Sequence, residues 1–183
     1  GIIHEFNERE YTVFELMVIM LIQSDNTAAN KIIDLVGMEQ INEDIVAMGL
    51  KNTKLNRKTN DERSVVSNIE NITTAYDLAR IWKHLSNGTF LSKDNGQMLI
   101  DILRRQQIKN KLALYIPDDL KIEISSKTGD KKGVENDTEY LELPKGKFTF
   151  TVLSEGIPNS VYGTVSLAKC GKMMWDEVMN NWN

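Results

Sequence analysis

Up to about Pro117 the chain runs in apolar stretches separated by short polar breaks, and beyond it the period changes. Phe14–Ile22 is apolar on nearly every face. Thr12 stands three residues before Glu15, the spacing of a capping box, so a helix is predicted there with other elements around it. After the polar break Ser24-Asp25-Asn26, Thr27–Val36 reads as a second helix closed by Gly37. Glu39–Met48 reads as a third, closed by Gly49. Leu50–Arg63 has no period and reads as a long loop. Thr74 and Asp77 open a helix running to Leu85 and ended by Asn87-Gly88. Ser92 caps another that reaches about Arg105, and Lys111–Tyr115 adds one more turn.

Past Pro117 the alternation is that of strands. Lys121–Ser125, Thr138–Leu143 and Lys147–Leu153 are predicted, the last two joined as a hairpin by Pro144-Lys145-Gly146. From Ser160 helical spacing returns, with Val161, Val165, Ala168, Trp175, Val178 and Trp182 on one stripe. Helices first, then an antiparallel sheet with a helix laid on it, predicts an α+β fold. It divides into a mostly helical region, 1–116, and a sheet region, 117–183.

Composition narrows the partners. The 183 residues carry 22 basic and 26 acidic side chains, a formal charge of −4, which argues against nucleic acid. Cys170 is the only cysteine, so no internal disulfide forms. His4 and His84 stand apart without metal-ligand spacing, and no metal or other cofactor is expected. The longest apolar run, Leu16–Ile22, is far short of the roughly 20 residues that span a bilayer. No signal peptide is visible.

A polar break between two buried helices needs its side chains used, because buried hydroxyls, carboxylates and amides must find partners. Taken alone, Ser24-Asp25-Asn26 could simply cap the next helix. Its counterpart lies far downstream, Lys127-Thr128-Gly129, just after a predicted strand. The two tripeptides in this order resemble the motif pair of class A β-lactamases and penicillin-binding proteins. Leu21–Asn30 resembles the corresponding β-lactamase segment almost residue for residue. Leu55-Asn56-Arg57, Glu70–Ala75 and Gly133–Asp137 resemble the β-lactamase-related serine hydrolases.

The resemblance implies a β-lactamase/transpeptidase-like fold, incomplete in this chain, and an acyl-enzyme reaction on a β-lactam amide. The family nucleophile lies in a Ser-x-x-Lys motif ahead of Ser-Asp-Asn, and no serine precedes Ser24. The only such motif, Ser166-Leu167-Ala168-Lys169, sits in the terminal helix and reads as surface residues. The chain is therefore expected to be the C-terminal portion of a longer protein and inactive alone. Lost covers over Phe14–Ile22 and one sheet edge would then favour self-association.

By resemblance, Ser24 would relay a proton to the leaving nitrogen, and Lys127 would supply positive charge. Thr128 would bind the substrate carboxylate, Gly129 would leave room for the substrate, and the Asp130 backbone N–H would face the oxyanion. Asn26 would take the acylamide oxygen, whereas Asp25 and Asn30 would tie loop to helix. The usual Glu-x-x-Leu-Asn after the Leu-x-Arg segment is absent; Glu62 or Asp61 could supply the deacylating base, or form only an exposed acidic turn. The rivals are a D,D-peptidase or penicillin-binding acyltransferase and a non-catalytic module binding β-lactam or peptidoglycan stem peptide. The family's substrates imply an extracellular or periplasmic place.

Overall fold

The computed structural model describes residues 1–59, 69–117, 120 and 122–182. After a short 3-10 turn at Ile3–Glu5 come helices α1 (Val13–Ile22), α2 (Asn26–Val36) and α3 (Met38–Ala47). An irregular stretch, pinned by the isolated bridge Lys54–Ile72, leads to α4 (Ala75–Asn87) and α5 (Lys93–Arg104). A 3-10 turn at Leu112–Tyr115 precedes strands β1 (Ile124–Lys131), β2 (Val134–Leu143) and β3 (Gly146–Val152), and α6 (Ser160–Asn181) ends the described chain. The sheet is antiparallel in the order β1-β2-β3.

Local chemistry sets the helix ends. Thr12 and Glu15 form the reciprocal capping box of α1. Asp25, Thr74 and Ser92 cap α2, α4 and α5 by accepting amides three residues on. Gly88 ends α4 in the left-handed region at φ 64°.

The sheet is packed on both faces. On one side Trp82 of α4 stacks on Tyr140 at 5.8 Å and donates to Thr138 Oγ1 at 2.8 Å, beside Ile100 and Leu103 of α5. On the other, Leu141 and Phe150 meet Leu167, Trp175 and Val178 of α6, with Leu112 and Ile116 completing that core. Lys145 in the β2–β3 turn donates to the Val178 and Met179 carbonyls at the end of α6.

Four expectations are corrected. The first strand is Ile124–Lys131, so Lys127-Thr128-Gly129 lies inside it. Its polar residues hide the apolar alternation of a strand, yet each pairs in register with Val134–Leu141. β2 likewise begins at Val134, not Thr138. The buried face of α6 consists of Gly163, Leu167, Ala168, Gly171, Trp175 and Val178, whereas Val161 and Trp182 are 74% and 59% exposed. Small residues set that face, because a Cβ at Gly171 would collide with the Leu112 carbonyl. Finally, α1 has no fully buried residue, and Val13 and Phe14 stand half exposed.

Candidate active site

The turn between α1 and α2 is held from both ends. Gln106 donates to the Leu21 carbonyl at 3.1 Å, and Gln23 to Gln107 at 2.6 Å, fixing the end of α1 against the loop after α5. Asp25, 1% exposed, accepts the amides of Ala28 at 2.9 Å, Ile3 at 3.0 Å, and Ile2. Burial would raise its pKa, but those three amides outweigh burial and hold it below the usual carboxylate range. Ser24, caught between the two anchored ends, takes φ 53°, the only positive value at a non-glycine residue among the described ones. That region disfavours L-residues by roughly 1–2 kcal/mol. The Ser24 side chain is exposed.

Strand β1 brings the partner. Ser125 donates to the Ile100 carbonyl at 2.9 Å, anchoring β1 on α5. Lys127, two residues on and so on the same face, extends toward α1–α2. Its Nζ lies 2.9 Å from Ser24 Oγ and 2.7 Å from the Thr128 carbonyl oxygen, joining residues 103 positions apart. Those are its contacts among the described residues; it forms no ion pair there. Burial lowers its pKa, against the partly offsetting fields of Asp130 and Asp137.

The other expected residues gather nearby in different states. Asn26 opens α2 half-buried, and its side-chain amide bonds to no described residue. Gly129 has open space above it: a Cβ built there would find its nearest neighbour, Asn136 Cβ, 4.0 Å away. Neither packing nor φ requires a glycine at that place. Thr128 alternates to the opposite face and is 5% exposed, and the Asp130 side chain is about half exposed. Asn30 clamps Thr59, giving Nδ2 to its carbonyl and accepting its amide and hydroxyl. Asp25 and Asn30 are thus ties within the chain. Glu62 and Asp61 lie outside the described residues.

Among the described residues on either side, Asn71 Oδ1 accepts the amides of Asn56 and Arg57. Glu70 bridges Arg57 at 2.9 Å and Lys131, at the end of β1, at 3.2 Å.

Sequence reasoning missed a polar cluster on the far face of the strand. Lys111, 3% exposed, pairs with Asp130 and with Glu135 at 2.7 Å and donates to the Asn136 carbonyl. Burial alone would lower its pKa; the hydrogen bonds it donates to Asp130 and Glu135 raise it instead. Asp137 and Glu139, 3% and 1% exposed, stand cross-strand from Thr128 and Ser126. Burial raises Asp137 to about 6, and burial with the Asp137 charge raises Glu139 to about 9. A protonated Glu139 donating to Asp137 accounts for Asp137 Oδ1 and Glu139 Oε2, which have no other partner. Charged residues with the same parity as Leu141 were the available signal.

The comparisons agree with this architecture. A β-lactamase from Sphaerobacter thermophilus is 28% identical with a TM-score of 0.91, over 98% of this chain and 68% of that one. PBP-A is 25% identical with a TM-score of 0.83, over 98% of this chain and 66% of its own. A class A β-lactamase from Bacteroides cellulosilyticus, at 21% identity, TM-score 0.76 and coverage of 90% and 62%, shows the fold alone. The chain therefore has the α+β fold of β-lactamases and penicillin-binding proteins, and it spans about two thirds of their length. It belongs to the β-lactamase enzyme family, whose model matches residues 1–178. A search of curated proteins finds no match. Among the described residues no three His, Cys, Asp or Glu side chains gather as a metal site, and no helix is long and apolar enough to cross a membrane.

Proposed function

We propose that this chain supplies two walls of a serine acyltransferase site that opens β-lactams through an acyl-enzyme. The nucleophile comes from a Ser-x-x-Lys segment outside these 183 residues, and the site works outside the cytoplasmic membrane. The observation that carries the reading is the 2.9 Å contact between Ser24 Oγ and Lys127 Nζ in a member of this family.

In this reading the leaving nitrogen needs a proton when the amide bond breaks. Ser24 hands over its own and is resupplied through Lys127, a task suited to a hydroxyl that donates and accepts at once. The Lys127 charge also attracts the substrate carboxylate, whereas Thr128, buried on the opposite face of β1, presents no exposed hydroxyl to it. Gly129 lets the substrate lie along β1, the Asp130 backbone N–H faces the developing oxyanion, and Asn26 donates to the acylamide oxygen. Glu62 is the candidate base for deacylation.

Similarity to PBP-A supports a second reading, in which acylation is fast and release slow, as in a D,D-peptidase or penicillin-binding acyltransferase. The test is intact mass of the protein purified from its natural source, before and after benzylpenicillin. A gain of one penicillin that decays within seconds supports hydrolysis, and one that persists for hours supports the second reading. Absence of any adduct, with reversible binding only, overturns both in favour of a binding module. Lys127→Ala should slow acylation by about 10²-fold or more.

A further inference from the structure

The loop between α5 and β1 is fastened to both walls of the site. At one end Gln106, 2% exposed, uses both halves of its amide on main-chain groups. Its Nε2 donates to the Leu21 carbonyl at 3.1 Å, and its Oε1 accepts the amides of Gln107 at 2.9 Å and Ile108 at 3.2 Å. A few residues on, the loop grips β2: Lys111 pairs with Glu135 at 2.7 Å, and the Leu112 amide donates to Asp137 at 3.2 Å. We propose that this loop is a strut between the two walls and that Gln106 is a positioning residue, holding Ser24 Oγ within reach of Lys127 through the end of α1. The inference rests on the reading of Ser24 as the proton relay.

The Leu21 carbonyl lies in the last turn of α1, where a helix has no amides of its own left to offer. Gln106 supplies one from outside. Beside it Gln23, which closes α1, donates to Gln107 at 2.6 Å, so two side-chain amides join the same helix end to the same loop. Ser24 follows at once with φ 53°, a conformation that persists only where the surroundings over-determine it. Without the Gln106 donor the end of α1 can turn, Ser24 relaxes toward negative φ, and Oγ moves off Lys127. A shift of about 1 Å in a reacting group costs up to about 10²-fold in rate. Burial makes the requirement strict, because a carbonyl that loses its partner inside the protein gains no water in exchange.

The test uses the longer protein made in its natural host, with Gln106→Glu. That change keeps the shape and the oxygen that takes the Gln107 and Ile108 amides, but turns an acceptor toward the Leu21 carbonyl. Acylation is followed at rising benzylpenicillin concentration. The first-order constant at saturation should fall by about 10–10²-fold. The dissociation constant should stay within about threefold, the split expected when only the reacting step is disturbed.

A second readout needs no penicillin. In Ser24→Cys the new thiol is alkylated with iodoacetamide across pH and located by peptide mapping. The neighbouring Lys127 ammonium should hold it below the ordinary cysteine value of about 8.5, and adding Gln106→Glu should return it toward that value. Gln106→Asn, which keeps the amide but shortens its reach, gives the same comparison if the glutamate variant does not fold. A thiol titration unmoved by these variants, or an unchanged acylation constant in a folded one, overturns the strut. A longer protein that takes up no penicillin yet shows the thiol shift overturns the acyl-enzyme reading and supports the positioning of Ser24 by Gln106.

Discussion

Lys111 and Lys127 lie on opposite faces of one sheet, and they are held in opposite ways. Lys111 is almost fully buried and sits between Asp130 and Glu135, its charge matched. Lys127 is half-buried and has only a hydroxyl and a carbonyl oxygen for company among the described residues. Alternation along β1 and β2 produces the difference, since Lys127 and Gly129 share one face while Thr128 and Asp130 share the other. The matched face builds structure. The unmatched face keeps a cation available, and available charge is what chemistry uses.

The strongest way to break this contrast is to remove each lysine. Lys111→Met should destabilise the chain by about 3–5 kcal/mol, because it strands Glu135 as a buried unpaired carboxylate. Lys127→Met should stay within about 1 kcal/mol of wild type, since no partner is orphaned. Urea unfolding of both variants at one pH measures the two, and equal losses would erase the distinction.

A smaller effect comes from the acid pair. Asp137 and Glu139 bind protons more tightly folded than unfolded, at about 6 and about 9 against ordinary values of 3.8 and 4.5. Their contribution is complete below pH 3.8 and is lost as pH rises through 6 and then 9. Glu139→Gln, neutral throughout and of the same shape, should flatten the decline between pH 5 and 9. Unfolding curves at pH 5, 7 and 9 check this; parallel declines in variant and wild type would show that the pair shares no proton.

The smallest expected effect is at Ser24. Glycine tolerates φ 53° and alanine does not, so Ser24→Gly should be more stable than Ser24→Ala by about 1 kcal/mol. Thermal unfolding of the two variants is sufficient, and a difference of the opposite sign would mean that the turn relaxes.

How much of this could be read from the sequence follows the range of each interaction. Helix ends were legible because Thr12, Thr74 and Ser92 each bond three residues away, within their own segment. The strand carrying Lys127 was read too early, because polar residues serving a site and a buried ion cluster do not alternate in hydropathy. The face of α6 was misread since Gly163 and Gly171, which make its closest contacts, add nothing to an apolar stripe. Ser24 and Lys127 could be joined only by family resemblance; no local pattern links positions 103 apart. Glu139 shared parity with Leu141, but Asp137 fell outside the predicted strand, so their pairing went unseen.

That separation of 103 positions also orders events while the protein is being made. At typical translation speeds Lys127 is added about 5–20 s after Ser24. Throughout that interval the α1–α2 turn has no lysine to engage, and even then β1 needs β2 before its register exists. Whatever reactivity the pair has therefore switches on only when the sheet closes. A nascent chain stalled before β2 would carry the serine in silence.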